Sequence, residues 1–149
     1  MGKGVLLVIL LSAGNFLQAA TIGWSSENSI AQKNDVFTLD IIGTGFTNNV
    51  DGGGVNFTFD SNVLNVLSVA INESVWDFGG FGINTEIVDN NSGTVDGIMV
   101  NAVSNVTGDF TIASIEFQAI GNGGLSSALG LSEFTSNPCA SGGSLISPN

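Results

Sequence analysis

The residues best suited to chemistry in this 149-residue chain are the aromatic side chains Trp76, Phe78 and Phe81, set among Asp77, Gly79, Gly80 and Gly82. An exposed ring can stack on the apolar face of a sugar while Asp77, Asn72 or Asn84 beside it hydrogen-bonds the hydroxyls, so the three rings are candidates for carbohydrate or partner binding. The same rings can instead plug one end of a β-sandwich, with the glycines letting the backbone close over them. Burial on that pattern is worth about 1.5–3 kcal/mol per ring. The residue types allow both arrangements, which differ in whether the rings meet solvent.

Other chemistries are limited by what the chain lacks. It has no histidine, which removes Ser-His-Asp and Cys-His catalysis and imidazole metal sites. Cys139 is the single cysteine, so no intrachain disulfide forms, and no basic residue lies near it in sequence to make a reactive thiolate. It reads as a buried inert thiol or as a thiol that pairs between chains. A glycosidase needs only two facing carboxyl groups, but no arrangement singles out two of the thirteen acids, and no catalytic residues are expected.

Calcium is the one candidate ion, as a structural cofactor held by turn oxygens. Asn48, Asn49 and Asp51 supply one charged ligand among three. The run Asp89, Asn90, Asn91, Ser92, Gly93, Thr94 has its glycine one place early for a calcium loop and Val100 where the bidentate Glu belongs. A turn built on Asx side chains accounts for it more simply, and no cofactor is required. The formal net charge of −11 repels nucleic acid and anionic lipid headgroups.

The elements that must position these residues read as strands. Hydrophobic residues make up 43% of the chain and charged residues 10%, enough apolar surface for one core, and the 21 glycines suit many short strands joined by turns. Val55, Phe57 and Phe59 alternate with Asn56, Thr58 and Asp60, the period of a strand with one buried face. After a corner at Asp60, Ser61 and Asn62, the aliphatic run of Val63, Leu64, Val66, Leu67 and Val69 follows. Phe37, Leu39 and Ile41 mark another strand. Residues 43–54 carry Gly-Thr-Gly, Asn-Asn and Asp-Gly-Gly-Gly and are expected to form a loop.

Residues 85–88 and 94–102 flank a turn at 89–93 as a hairpin. Between Phe110 and Ala119 the apolar phase slips between Ile112 and Ile115, which predicts a β-bulge near Ala113. Ile22, Trp24 and Ile30 are apolar candidates of a first edge strand. Leu125, Leu129, Leu131 and Phe134 are expected in a last main strand, with Leu145 and Ile146 closing an edge.

Lys3, the apolar run 5–11 and the small residues Ala19 and Ala20 together read as a secretory signal peptide over 1–20. The domain then covers 21–136, and 137–149 is a Gly, Ser and Pro-rich tail or closing edge strand. A fragment that lacks a downstream sorting signal is one reading of the C-terminus.

Three stretches in order resemble the cohesin domain. Residues 55–69, VNFTFDSNVLNVLSV, resemble its strand, acidic corner and Val-Leu strand. Residues 33–41, KNDVFTLDI, resemble its opening strand, and 108–119, GDFTIASIEFQA, its late Ile-Ala-x-Ile-x-Phe-x-Ala strand. Asn34, Phe59 and Ser61 stand where the pattern has Gly, Tyr and Pro. The resemblance implies an all-β, two-sheet β-sandwich with jelly-roll, immunoglobulin-like topology, of the carbohydrate-binding-module-like superfamily.

It further implies a secreted bacterial, non-catalytic module for adhesion or scaffolding associated with extracellular polysaccharide. The implied partner is a dockerin-like or other extracellular protein bound on a sheet face, or polysaccharide itself. A direct carbohydrate-binding module and a structural cell-surface or matrix component are the alternatives.

Overall fold

The computed structural model describes residues 19–77 and 87–134. Among the described residues there are six strands: β1 Thr21–Trp24, β2 Val36–Thr58, β3 Leu64–Ile71, β4 Ile87–Asp89, β5 Thr94–Ala119 and β6 Gly130–Glu133. The expected signal peptide lies almost wholly outside the described residues, as do Phe78, Phe81, Asn84, Cys139, Leu145 and Ile146.

Two long strands organise everything else. β2 and β5 run antiparallel along their full lengths, from Val36 opposite Gln118 to Thr58 opposite Thr94. The first half of β2 and the second half of β5 form the middle of one layer, with β1 outside β2 and β3 outside β5. The other halves form the middle of a second layer, with β6 outside β2 and β4 outside β5. The pair changes register repeatedly between Gly43 and Gly52, where the sheet turns from one layer into the other. Gly45 and Gly108 take positive φ there, at 74° and 80°.

This corrects the expectation of a loop at 43–54: the segment stays in the sheet, and its glycines serve close packing. A Cβ on Gly43 would collide with the Phe110 ring, and one on Gly52 with the Asn101 side chain.

The layers face each other across one core. Val55, Phe57 and Phe59 are buried, as the alternation predicts, beside Leu39, Ile41, Ile115 and Phe117 from the first layer. Phe57 meets Phe117 edge-on with ring centroids 5.9 Å apart, and Trp24 of β1 meets Phe57 at 5.2 Å. The architecture is an all-β, two-sheet jelly-roll sandwich, as expected.

The bulge falls where the phase slip put it. Ile41 pairs with Ala113 and Ile42 with Thr111, so Ile112 is the extra residue and both Ile112 and Ala113 turn inward. The 89–93 hairpin turn is also present, with Asp89 opposite Thr94. Several apolar assignments differ: of the four residues expected in the last strand only Leu131 lies in β6, with Leu129 and Phe134 flanking it. Ile30 lies beyond β1 and is fully exposed at 102%, and Leu125 precedes the last strand at 57% exposure. Neither has a strand neighbour to set its direction inward.

Candidate functional site

Trp76 follows β3 on a turn in which the Val75 and Trp76 amides both donate to Asn72 O at 3.0 Å. The Asn72 amide donates to Ile112 O at 3.1 Å, tying this turn to the bulge on β5. Its indole N–H donates to Thr111 O at 3.0 Å, its ring stands edge-on to Phe110 at 5.2 Å, and the side chain is 1% exposed. Trp76 therefore belongs to the core and is not a stacking platform, because a ring without accessible faces cannot meet a sugar. The polar neighbours proposed for sugar hydroxyls are engaged internally: Asp77 Oδ1 accepts from Val103 N at 2.9 Å, and Asn72 Oδ1 from Ser74 Oγ at 2.6 Å.

The outer faces of the two layers differ in kind. On the first layer, Thr38, Asp40, Ser114, Glu116 and Ser68 point away from the core, opposite one another in the strand register. Their polar groups are tied to each other: Ser114 Oγ donates to Asp40 Oδ1 at 2.6 Å, and Ser68 Oγ to Glu116 Oε2 at 3.5 Å. Val36 and the bulged Leu67 are exposed on this side.

The second layer presents small polar side chains on its outer side. Asn56 and Ser132 are opposite each other, Thr58 is opposite Gly130 on one side and Thr94 on the other, and Asp96 is opposite Ile87. Asn56 joins three strands: its Oδ1 accepts from Gly97 N at 2.8 Å, and its Nδ2 donates to Glu133 O at 3.3 Å. Phe134 lies over Gly54, where a Cβ would come within 2.9 Å of its ring. Ile87, 69% exposed, is an aliphatic anchor at one margin of a field of small polar side chains. Sequence reasoning marked the strand at 55–59 by its buried positions and passed over the alternate residues, which make this face.

For cations, no group of three or more His, Cys, Asp or Glu side chains is placed to hold a metal among the described residues. Asp89 is occupied in the turn. Its carboxylate accepts from Ser92 N and Asn91 N, which hold it below its ordinary pKa of 3.8.

No protein-family model matches the chain, and no curated protein matches it. Solved structures do. The chain is similar to the module CaCohA2 of Clostridium acetobutylicum at a TM-score of 0.61 and 12% identity, covering 83% of this chain and 77% of that one. A type II cohesin domain from the cellulosome of Acetivibrio cellulolyticus gives 0.61 at 14% identity, covering 81% and 79%. A type I cohesin-dockerin complex from Clostridium thermocellum gives 0.60 at 10% identity, covering 78% and 84%. At these identities the likeness is one of fold, and the fold is that of a cohesin-like domain.

Proposed function

We propose that this protein is a secreted, non-catalytic cohesin-like module that captures an extracellular protein on the outer face of its second layer, with a dockerin-like domain as the partner. The observation that carries this reading is the field of small polar side chains, Asn56, Thr58, Asp96 and Ser132, bordered by exposed Ile87. Interfaces of this kind combine a few apolar anchors with small polar groups that lie close to a partner backbone. Similar folds solved in complex with dockerins support the choice of partner. The first layer is the weaker candidate, because it sets two carboxylates, Asp40 and Glu116, on its two central strands, and interface centres are depleted of charge.

A role in adhesion or scaffolding near extracellular polysaccharide follows from the same reading. The test is retention of recombinant type I and type II dockerins on immobilised protein. Ile87→Asp and Thr58→Arg abolish capture while Thr38→Arg on the opposite face leaves it intact. Capture lost only with Thr38→Arg, or no capture of either dockerin type, refutes the assignment.

A further inference from the structure

One end of the sandwich opens into a cleft of about 790 Å³ that has no part in the face described above. Its floor is aromatic and aliphatic: Trp24 of β1 and Phe37 and Leu39 of β2 line it. One wall is the segment between β1 and β2, with Glu27, Asn28 and Ser29, and the other is the segment before β6, with Ser126.

Both walls are tied down. Ser25 N donates to Asp40 O at 2.8 Å and Asp40 N donates to Ser25 Oγ at 3.0 Å. Gln32 N donates to Asp35 Oδ2 at 2.8 Å, and on the far side Asp60 N donates to Ser127 Oγ at 2.8 Å. The rings are fixed too. Phe37 stacks on Phe117 at 5.6 Å and 22°, which covers one of its faces, and the residue lines the cleft. The Trp24 indole N–H donates to Leu129 O at 3.3 Å, which sets the plane of that ring.

The chemistry of this lining selects a ligand class. Half-buried aromatic rings favour a flat C–H face, and a rim of hydroxyl, amide and carboxylate groups favours a ligand dense in hydroxyls. Among the described residues the lining includes no lysine or arginine, Glu27 adds a negative charge, and the whole chain carries −11, so an anionic ligand is disfavoured. A volume of this size accommodates several pyranose rings.

We infer that the cleft between residues 25–31 and 125–129 binds a short neutral oligosaccharide of equatorially substituted pyranoses, with Phe37 and Trp24 as the stacking floor. The inference rests on the cleft alone and is independent of the protein-binding face.

The two tryptophans make the test internal. In a ¹⁵N-labelled sample of the full chain titrated with cellohexaose, the Trp24 indole N–H signal shifts saturably while that of the buried Trp76 stays in place. Glu27→Ala with Asn28→Ala, at two exposed rim positions, weakens binding several-fold without altering the melting temperature. Phe37→Leu, which keeps an apolar side chain but removes the ring face, weakens it about tenfold. The anionic oligogalacturonate causes no shift.

Overturning results are an unmoved Trp24 signal at millimolar cellohexaose, or affinity unchanged in both variants. Binding of the apolar dye ANS at Trp24 without any response to cellohexaose also refutes the proposal, since it assigns the cleft to an apolar occupant.

Discussion

The side-chain amide of Asn90 bonds both backbone groups of Val66: Val66 N donates to Asn90 Oδ1 at 2.8 Å, and Asn90 Nδ2 donates to Val66 O at 3.0 Å. Asn90 sits in the β4–β5 turn of the second layer and Val66 in β3 at the margin of the first, so one residue stitches the layers together and occupies the strand edge. Unpaired edge groups are a template for another chain, and here a side chain takes the place of a neighbouring strand. Asn90→Ala is expected to lower stability by about 1–2 kcal/mol, from two lost hydrogen bonds. It is also expected to raise self-association. Urea unfolding and light scattering at high concentration measure the two effects, and a strictly monomeric variant would count against the edge role.

Asp89 ties the same turn to solution pH. Hydrogen bonds from Ser92 N and Asn91 N lower its folded pKa below 3.8, so its stabilising contribution is complete above that value and is lost as pH falls through the folded pKa. The melting temperature of the native protein should therefore exceed that of Asp89→Asn at neutral pH, with the gap closing below pH 3.8. A carboxyl carbon titration of Asp89 by NMR gives the direction directly, and a midpoint above 3.8 contradicts it.

Two glycines with nearly the same backbone conformation should respond differently to alanine. Gly93, at φ 73°, has no room for a Cβ because Phe59 O occupies that space, whereas at Gly108, φ 80°, nothing lies within 4 Å. Gly108→Ala carries only the left-handed backbone penalty of about 1–2 kcal/mol. Gly93→Ala adds a collision with backbone and should cost at least about 1 kcal/mol more. Equal costs in denaturant melts would show that the turn relaxes freely.

Trp76 is expected to behave as a core residue. Trp76→Ala should destabilise by about 3–5 kcal/mol, and Trp76→Phe by less, through loss of the bond to Thr111 O. A folded Trp76→Ala protein with near-native stability would contradict the burial.

The inward positions of the sandwich were legible because period-two alternation is a direct image of a half-buried strand. Val55, Phe57 and Phe59 and the bulge beside Ala113 follow from it, and the hairpin around Asp89 from its Asx and glycine turn residues. The segment 43–54 was not legible, because glycine signals a turn locally while its use here is set by what packs on it. Phe110 against Gly43 and Asn101 against Gly52 are contacts made by residues far along the chain. Trp76 was ambiguous for a related reason: aromatic rings among glycines look alike whether they close an end or line a site. The cleft was invisible because Trp24, Phe37 and Ser126 come together only when the segments before β2 and before β6 meet at one end of the fold.

Because β2 and β5 are each members of both layers, neither layer can assemble without the other. Thr58 pairs with Thr94 across 36 positions but Val36 with Gln118 across 82, so the first layer's centre closes only with a long loop and its entropy cost. Folding should be slow for a domain of this length, and native-state hydrogen exchange should show amides of the two layers opening together, as one cooperative unit instead of two.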